Sequence, residues 1–383
     1  MILKDCLEKI IDNRGRNPKY YDREVYPVID NVMIKNNYHP NINEATRFID
    51  QDTHDNFLRG YLESNIPIMT LVGGGIGNVS LSIDDKSVIV QNTIGFKTKP
   101  ELLDSIYLYY WFLYKHDELI QFNRGSGQPS IKKTDIENMN IELKSINYQR
   151  KVSKILSEID EKIDLNNKVN NNLYEMCNVL YHQLLDDNES NIEYKTIGEI
   201  AKKVITGKTP STKNKEYWGG NIPFITIPDM HNQVFTINTE RYITKEGAKS
   251  LIPKNSISVS CIATVGLVSI NDKDSQTNQQ INSIVIENDY DLYYLFEFLT
   301  EQEQYMKSIA GGSTTYNINK NTFENIQVPY LNKELIIEYD KKVRPMFEKI
   351  KSNQISNDTL SQLRDTLLPK LMNGEIDLDN IEI

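Results

Sequence analysis

The chain has few cysteines and histidines and no long apolar run, and each shortage excludes a class of protein. Cys6, Cys177 and Cys261 stand far apart in 383 residues and form no C-x-x-C pair, so we expect a reducing cytoplasm and neither a disulfide framework nor a zinc site. The five histidines lack ligand spacing such as H-E-x-x-H. No run approaches the roughly 18 apolar residues of a membrane span, and the first residues do not resemble a secretory signal.

Catalytic motifs are also missing. In the glycine-rich segment 71–78, Asn78 stands where a dinucleotide-binding loop needs its third glycine, and Lys202 stands where a P-loop ending at Thr209 needs its first. The Asn/Asp-Pro-Pro-Tyr/Phe motif of amino-group methyltransferases, which bind a flipped base, does not occur. Asp160-Glu161-Lys162 looks like a nuclease fragment, but its helical setting favours a solvated face. The sequence predicts a non-catalytic protein.

Acidic residues outnumber basic ones overall, but positive charge is concentrated locally. The net charge of −10 argues at first against nucleic-acid binding, which favours a basic surface. Residues 202–215 nevertheless contain five lysines and no acid, and residues 14–23 contain four basic residues against Asp22. Either segment alone is typical of a solvated loop. Their matching places in the two halves make DNA binding an equally good interpretation.

The sequence contains an internal repeat. Gly125-Ser126, Ile131, Lys133 and Glu137-Asn138 recur at an offset of 187 as Gly312-Ser313, Ile318, Lys320 and Glu324-Asn325. Gly77 and Gln91 lie 14 residues apart, as do Gly266 and Gln280. A period near 190 is too long for a solenoid. It predicts a duplicated domain in which each copy is followed by a helical segment.

Each copy of the repeat is predicted to be an α+β domain. Short apolar runs bounded by Gly, Pro, Asn and Asp read as strands, for example at 25–29, 66–72 and 87–90 in the first copy and at 222–227, 256–263 and 281–286 in the second. Helices are expected near 101–121 and 291–308.

Two segments carry the apolar stripe of a coiled coil. Within 149–186, apolar residues and asparagines alternate at steps of three and four, and 346–372 repeats that spacing. Pro345 is expected to start or kink the second helix. We expect the two helices to pack antiparallel within one chain. Both stripes contain amides at mid-length, Asn166 and Asn170 in the first and Gln354 and Asn357 in the second, which fits either a register device or a solvated middle.

Two motifs resemble a known family. Gly207-Lys208-Thr209-Pro210, followed by Tyr217-Trp218-Gly219-Gly220, looks like the opening of a target recognition domain. Residues 363–376, LRDTLLPKLMNGEI, look like the distal helical region of the specificity subunits of type I restriction–modification systems. The resemblance covers essentially the whole chain. In the first half only Gly15 and Pro18 echo the first motif, and Tyr-Trp-Gly-Gly is absent.

The resemblance implies a fold and a set of partners. The fold class is α+β, with two similar target recognition domains separated by two long antiparallel helices in a pseudo-twofold intramolecular coiled coil. The domains would be 1–148, 149–192, 193–332 and 333–383. Each recognition domain would read one half of a split double-stranded DNA target, the helices would set the gap between the halves, and two methyltransferase subunits and the restriction subunits would dock. S-adenosylmethionine, ATP and Mg²⁺ would bind those partners, and this chain would bind no cofactor.

The DNA contacts that we predict combine basic side chains for phosphates, amides for adenine edges and short polar or aromatic groups on glycine-rich loops. In the first domain they are Arg14, Arg16, Lys19, Gln91, Asn92, Arg124, Ser126 and Gln128. In the second they are Lys202, Lys203, Lys208, Thr209, Lys213, Tyr217, Trp218, Asn278, Gln280, Ser313, Thr314 and Tyr316. The alternatives are a self-sufficient DNA methyltransferase or nuclease, and a protein-only scaffold.

Overall fold

The computed structural model describes residues 1–378 except Arg16, Ser126, Asn232 and 312–315. The strands are β1 (Leu7–Ile11), β2 (Tyr26–Pro27), β3 (Phe48–Ile49), β4 (Pro67–Thr70), β5 (Val79–Leu81), β6 (Thr93–Thr98), β7 (Glu193–Thr196), β8 (Ala201–Thr206), β9 (Trp218–Ile225), β10 (Phe235–Thr236), β11 (Arg241–Ile243), β12 (Leu251–Ile252), β13 (Ile257–Ser260), β14 (Val268–Asn271), β15 (Ser275–Thr277), β16 (Ile281–Ile286) and β17 (Gln327–Tyr330).

The α-helices are α1 (Gln51–Phe57), α2 (Ser105–Tyr114), α3 (His116–Gln121), α4 (Lys133–Glu137), α5 (Ile146–Asp187), α6 (Ile197–Ile200), α7 (Asp291–Thr300), α8 (Glu303–Ile309), α9 (Lys320–Glu324) and α10 (Lys333–Asn373). Within the described residues, no helix has both the length and the apolar character that a membrane crossing requires.

The chain divides into two compact units. Unit 1 comprises Met1–Asp164 and Thr359–Ile383, and unit 2 comprises Leu165–Asp358. Both boundaries fall within the two longest helices, so each unit contains a part of α5 and a part of α10. The predicted domain limits at 148, 192 and 332 divide the chain differently, because they separate globular from helical segments. This division stays a prediction.

The two units repeat one sheet topology. The order in unit 1 is β1-β6-β4-β5, and in unit 2 it is β8-β16-β13-β14, with β10 added at the far edge. The shared neighbours are antiparallel in both units. Gly77 and Gly266 both adopt positive φ, 78° and 97°, a conformation that favours glycine. The predicted duplication and α+β class are confirmed.

Several sequence-based bounds were wrong. The segment 87–90 forms no strand and contributes only an isolated parallel bridge between Val28 and Val88. The helices predicted at 101–121 and 291–308 are each broken into two, α2 with α3 and α7 with α8. The apolar pattern placed the helical regions correctly, but it does not show where one or two polar residues end an element.

In each unit an aromatic-rich helix packs on the long helices. In unit 1, α2 contributes Tyr107 and Phe112 to a core that also contains Val152 of α5 and Leu371 of α10. In unit 2, Tyr293 of α7 stacks on Phe347 of α10 with ring centroids 4.2 Å apart. This packing buries the apolar stripe that an isolated long helix would leave in water.

The second long helix begins earlier than predicted. α10 runs from Lys333 and passes through Pro345 without ending there. The start that we expected at this proline is therefore wrong, and the alternative, a kink, stays a prediction. Pro345 and Lys341, whose carbonyl loses its helical partner, are both exposed. Water can therefore satisfy that carbonyl, while Val343 and Phe347 hold the helix onto the core.

The amides in the middle of the helices are buried and paired in unit 2. Asn166 donates to Asn357 at 2.7 Å, and Asn353 donates to Asn170 at 2.8 Å. Asn166, Asn170 and Asn353 are all less than a tenth exposed, so the solvated alternative is wrong at these positions. Gln354 leaves the stripe and accepts from the Phe235 N–H at 3.1 Å. The pairs show that the helix segments of unit 2 run antiparallel, and they fit a register role.

Glu297 on α7 makes the stability of unit 2 depend on pH. Burial raises the pKa of Glu297 to about 8, its Oε1 has no hydrogen-bond partner, and only Asn178 reaches its other oxygen, at 3.4 Å. The folded carboxyl therefore holds a proton that the unfolded chain releases. We expect the free energy of unfolding to fall as the pH rises from about 4.5 to 8, at up to about 1.4 kcal/mol per pH unit.

Glu297→Gln should flatten this pH dependence and make unit 2 more stable at pH 8. Urea unfolding of the full chain between pH 5 and pH 8 would measure the change, with the exposed Glu303→Gln as a control. A parallel pH profile for wild type and Glu297→Gln would contradict the assignment.

Candidate nucleic-acid interface

The basic loop of unit 2, residues 207–217, is held against β15. The Lys208 N–H donates to the Thr277 carbonyl at 2.9 Å, and the Gln276 amide donates back to the Lys208 carbonyl at 2.7 Å. A Cβ on Gly207 would lie 2.1 Å from the Asn278 carbonyl oxygen. The glycine of the first family motif is thus needed so that the loop can approach the strand this closely.

The Tyr-Trp-Gly-Gly motif closes the other end of the loop. The Trp218 indole N–H donates to the Ser211 carbonyl at 3.2 Å, and the Thr244 N–H donates to the Tyr217 carbonyl at 3.0 Å. A Cβ on Gly220 would lie 2.3 Å from the Ile243 carbonyl oxygen. These residues build the support of the loop, with Tyr217 and Trp218 both half-buried.

Most lysines predicted to contact DNA are exposed and uncompensated. Lys203, Lys208 and Lys213 are exposed, and within the described part of the chain no carboxylate lies within ion-pair distance of them. Lys202 differs, because it lies 3.9 Å from Glu287. It also lines a cavity of about 520 Å³ whose wall includes the carboxylates of Glu193, Glu199, Glu287 and Asp291. Lys195 and Lys333 line the same cavity, so its charge is mixed, and the neighbouring Glu287 makes Lys202 less available to a phosphate than the unpaired lysines.

The amides at the end of β15 stabilise a turn. Asn278 is 9% exposed, and its side chain donates to Gln280 at 3.1 Å and accepts from the Gln280 N–H at 3.0 Å. Thr209 donates to Gln279 at 2.5 Å, which ties the basic loop to the same turn. The predicted DNA contact of Asn278 is untested, and its side chain is buried. Gln280 is half-buried, and Thr209 is exposed.

The glycine-rich loops at 124–130 in unit 1 and 311–317 in unit 2 are closed by the same kind of backbone hydrogen bond. Arg124 N–H donates to the Ser130 carbonyl at 3.0 Å in unit 1, and Gly311 N–H donates to the Asn317 carbonyl at 3.0 Å in unit 2. Tyr316 is 48% exposed beside this closure. Four predicted contacts, Arg16, Ser126, Ser313 and Thr314, lie outside the described residues.

In unit 1 the predicted basic contacts are largely neutralised. Arg14 donates to both carboxylate oxygens of Asp12, at 2.9 and 2.8 Å, which holds the pKa of Asp12 below its usual value. Arg124 lies 2.7 Å from Asp135. Lys19 is exposed and lies over the Tyr21 ring at 4.5 Å. Both ion pairs are partly buried, so a phosphate contact by Arg14 or Arg124 would first have to displace a carboxylate.

The predicted amides of unit 1 differ in their availability. Gln91 donates to Asn17 at 2.5 Å and accepts from Arg47 at 3.3 Å. Asn92 is half-buried, and its carbonyl accepts from the Leu71 N–H at 2.7 Å. Gln128 is exposed on the glycine-rich loop. Of these three side chains, Gln128 is the one most open to a ligand.

Sequence reasoning missed two basic residues beside the basic loop. Arg241 on β11 is exposed, and its guanidinium carbon lies 3.6 Å from the Trp218 ring centroid. Lys249 Nζ lies 5.6 Å from the Tyr217 ring centroid. The segment around Arg241 reads as an ordinary strand, so no motif could reveal that it returns to the aromatic residues of the loop.

The described residues offer no group of three or more His, Cys, Asp or Glu side chains arranged to hold a metal ion. The three cysteines are buried, and burial raises the pKa of the Cys261 thiol to about 11, which disfavours a thiolate nucleophile there. The exposed lysine and arginine side chains, with the aromatic rings beside them, are suited to bind an anionic polymer that carries planar bases.

Comparison with known proteins agrees with this reading. A family model described as the type I restriction modification DNA specificity domain matches residues 3–175 and 189–358. The specificity subunit of the type I restriction enzyme HindI of Haemophilus influenzae is 47% identical over 191 residues, 48% of this chain and 41% of that protein. The MjaIX specificity subunit of Methanocaldococcus jannaschii is 36% identical over 179 residues, 41% of this chain and 40% of that protein. The matches span about two fifths of these relatives.

The fold has a solved counterpart. The crystal structure of a type I restriction–modification S subunit from M. genitalium superposes with a TM-score of 0.61 at 16% identity, covering 97% of this chain and 95% of that one. With the two matches to the family model, which together cover most of the sequence, the conclusion is direct. The chain belongs to the family of type I restriction modification DNA specificity domain proteins.

Proposed function

We propose that this chain is the non-catalytic DNA specificity subunit of a type I restriction–modification system. Each unit reads one half of a bipartite DNA sequence, and the chain brings methyltransferase and restriction subunits to that sequence. S-adenosylmethionine, ATP and Mg²⁺ act on those partners. The observation that carries the proposal is the basic loop of unit 2, an anchored, lysine-rich segment on an acidic chain. It lies beside the half-buried rings of Tyr217 and Trp218 and the exposed Arg241.

The charge distribution determines how the chain should bind DNA. The net charge of −10 repels the polyanion, while Lys208, Lys213 and Arg241 supply local phosphate and base contacts. We therefore expect weak binding by the chain alone and tight, sequence-dependent binding once partners contribute further contacts. Selection of random duplexes by the chain with its methyltransferase subunits should return two fixed sequence blocks at a constant gap, and recovery of unselected DNA would contradict the proposal.

The enzyme alternative has a separate test. Methyl transfer by the purified chain alone, without partners, would favour a self-sufficient methyltransferase. The family assignment and the missing methyltransferase motif argue for transfer only in the assembled complex.

Lys208→Ala should weaken binding to specific and unspecific DNA alike. Lys208 sits on the basic loop without a carboxylate partner among the described residues, so its loss removes about one phosphate contact and lowers the salt slope of log K by about 1. Binding titrations of the assembled complex at several salt concentrations would measure this. Lys254, which lies 3.9 Å from Asp272, provides the compensated control. An unchanged slope for Lys208→Ala would show that this lysine does not contact a phosphate.

A further inference from the structure

Arg241 presents an unsatisfied guanidinium on the surface of unit 2. Its guanidinium carbon lies 3.6 Å from the centroid of Trp218 and 6.0 Å from that of Phe224. Across the residues that the structure describes, its side chain makes no hydrogen bond and no ion pair. Stacking occupies the face of the guanidinium and leaves the N–H donors at its edge free.

The aromatic support beneath Arg241 is rigid. Trp218 packs edge-to-face on Phe224 with centroids 5.3 Å apart, and Phe224 is 1% exposed. The Trp218 N–H is fixed on the Ser211 carbonyl. An arginine held on such a surface loses little conformational entropy when it binds, so its donors are preorganised for a ligand.

Unit 1 supplies an internal comparison. Arg47 lies over the Tyr20 ring at 4.4 Å, but it forms an ion pair with Asp30 and donates to Gln91 at 3.3 Å. Stacked arginine on an aromatic ring is therefore present in both units. In unit 1 the donors are used within the protein.

Asp229, which accepts from the backbone N–H of the residue before Arg241, is occupied by its own turn. Asp229 accepts from the Thr226 N–H at 2.7 Å, from the Thr226 hydroxyl at 2.6 Å and from the Glu240 N–H at 2.9 Å. The other arginine of unit 2, Arg344, pairs with Asp340 at 2.8 Å. Asp229 thus caps its own turn. Among the described residues Arg241 has no ion-pair partner, as expected of a side chain that meets an external acceptor.

We infer that Arg241 is a sequence-reading residue of unit 2 that donates two N–H groups to the O6 and N7 atoms of a guanine. Trp218 is its positioning residue. This inference rests on the proposed function. A planar, preoriented fork matches the two acceptors of a guanine edge, while the lysines of the basic loop are suited to phosphates. β11 lies at the edge of its four-stranded sheet, and a two-stranded ribbon can enter a major groove.

The test compares sequence preference in the assembled complex for four variants. Arg241→Lys keeps the charge but loses the planar fork, so it should retain binding while discrimination at one base pair of one half-site falls about tenfold or more. Trp218→Leu should relax the same base pair although Arg241 is intact, and Trp218→Phe should preserve most of the preference. Arg150→Ala, an exposed arginine of α5, should leave every position unchanged.

The outcomes separate the inference from its alternatives. A uniform loss of affinity with a shallower salt slope would make Arg241 a phosphate contact and overturn base reading. Unchanged preference in Arg241→Lys, with unfolding like that of the wild type, would also overturn it. A wild-type complex that shows no sequence preference would instead overturn the proposed function itself.

Discussion

Replacing residues 193–332 with the corresponding segment of another family member should change one half of the methylated sequence and leave the other half as it was. The structure favours this exchange because the segment enters and leaves at adjacent places. β7 pairs with β17 in antiparallel register, with Glu193 opposite Tyr330. The segment also carries the whole β8-β16-β13-β14-β10 sheet. A segment with adjacent ends and its own core can be inserted without redirecting the rest of the chain.

Methylation sequencing of DNA modified by the hybrid complex would give the result. The reciprocal exchange of residues 1–148 provides the matched control and should change the opposite half. A hybrid that methylates the original sequence, or one in which both halves change together, would contradict the assignment of one half-site to each unit.

Arg364→Ala should destabilise unit 1 by about 3–5 kcal/mol, because it leaves the buried carboxylate of Asp160 without its counter-ion. Arg364 donates to Asp160 at 2.8 Å, and Asp160 is 2% exposed. The Tyr110 hydroxyl donates to the other carboxylate oxygen at 2.7 Å. Burial raises the pKa of Asp160, and the interactions with Arg364 and Tyr110 oppose that rise. Without the arginine, the desolvation cost of the carboxylate is no longer offset.

Urea unfolding at constant pH would measure the loss, followed through a probe in unit 1. Asp365→Ala is the matched control, since Arg364 also pairs with this exposed carboxylate at 2.8 Å, and surface pairs contribute about 0–1 kcal/mol. Replacing Asp160 and Arg364 together by leucine should cost less than the sum of the single changes. Equal effects of the Arg364 and Asp365 changes would show that the buried pair does not stabilise unit 1.

The sequence revealed the duplication, the two long helices and the positions of the anchored loops. Repeated residues such as Ile131 and Ile318 are both buried and follow the same loop closure. Hydrophobic periodicity was a sound guide here because each long helix buries one continuous stripe. The family motifs located the basic loop, although their glycines serve close backbone packing.

Long-range polar pairing could not be predicted. Asp160 reads as part of a solvated face, and that interpretation was wrong because its partner Arg364 lies 204 residues away. We expected Gln354 to be the buried amide of the second helix, but the buried amide is Asn353. The two residues are neighbours and point to different sides of the helix, so Gln354 contacts Phe235 instead. Arg241 stands in an ordinary strand pattern. The role proposed for it rests on Trp218 beneath it and on the lack of an ion-pair partner among the described residues.

Mapping methylated adenines across the host genome, with this gene present and deleted, tests the central claim most directly. A DNA specificity subunit with one reader in each unit predicts a bipartite motif, two short sequence blocks at a fixed gap with one methylated adenine in each, that disappears completely on deletion. Identical methylation in both genomes, or loss of a continuous motif without a gap, would contradict it.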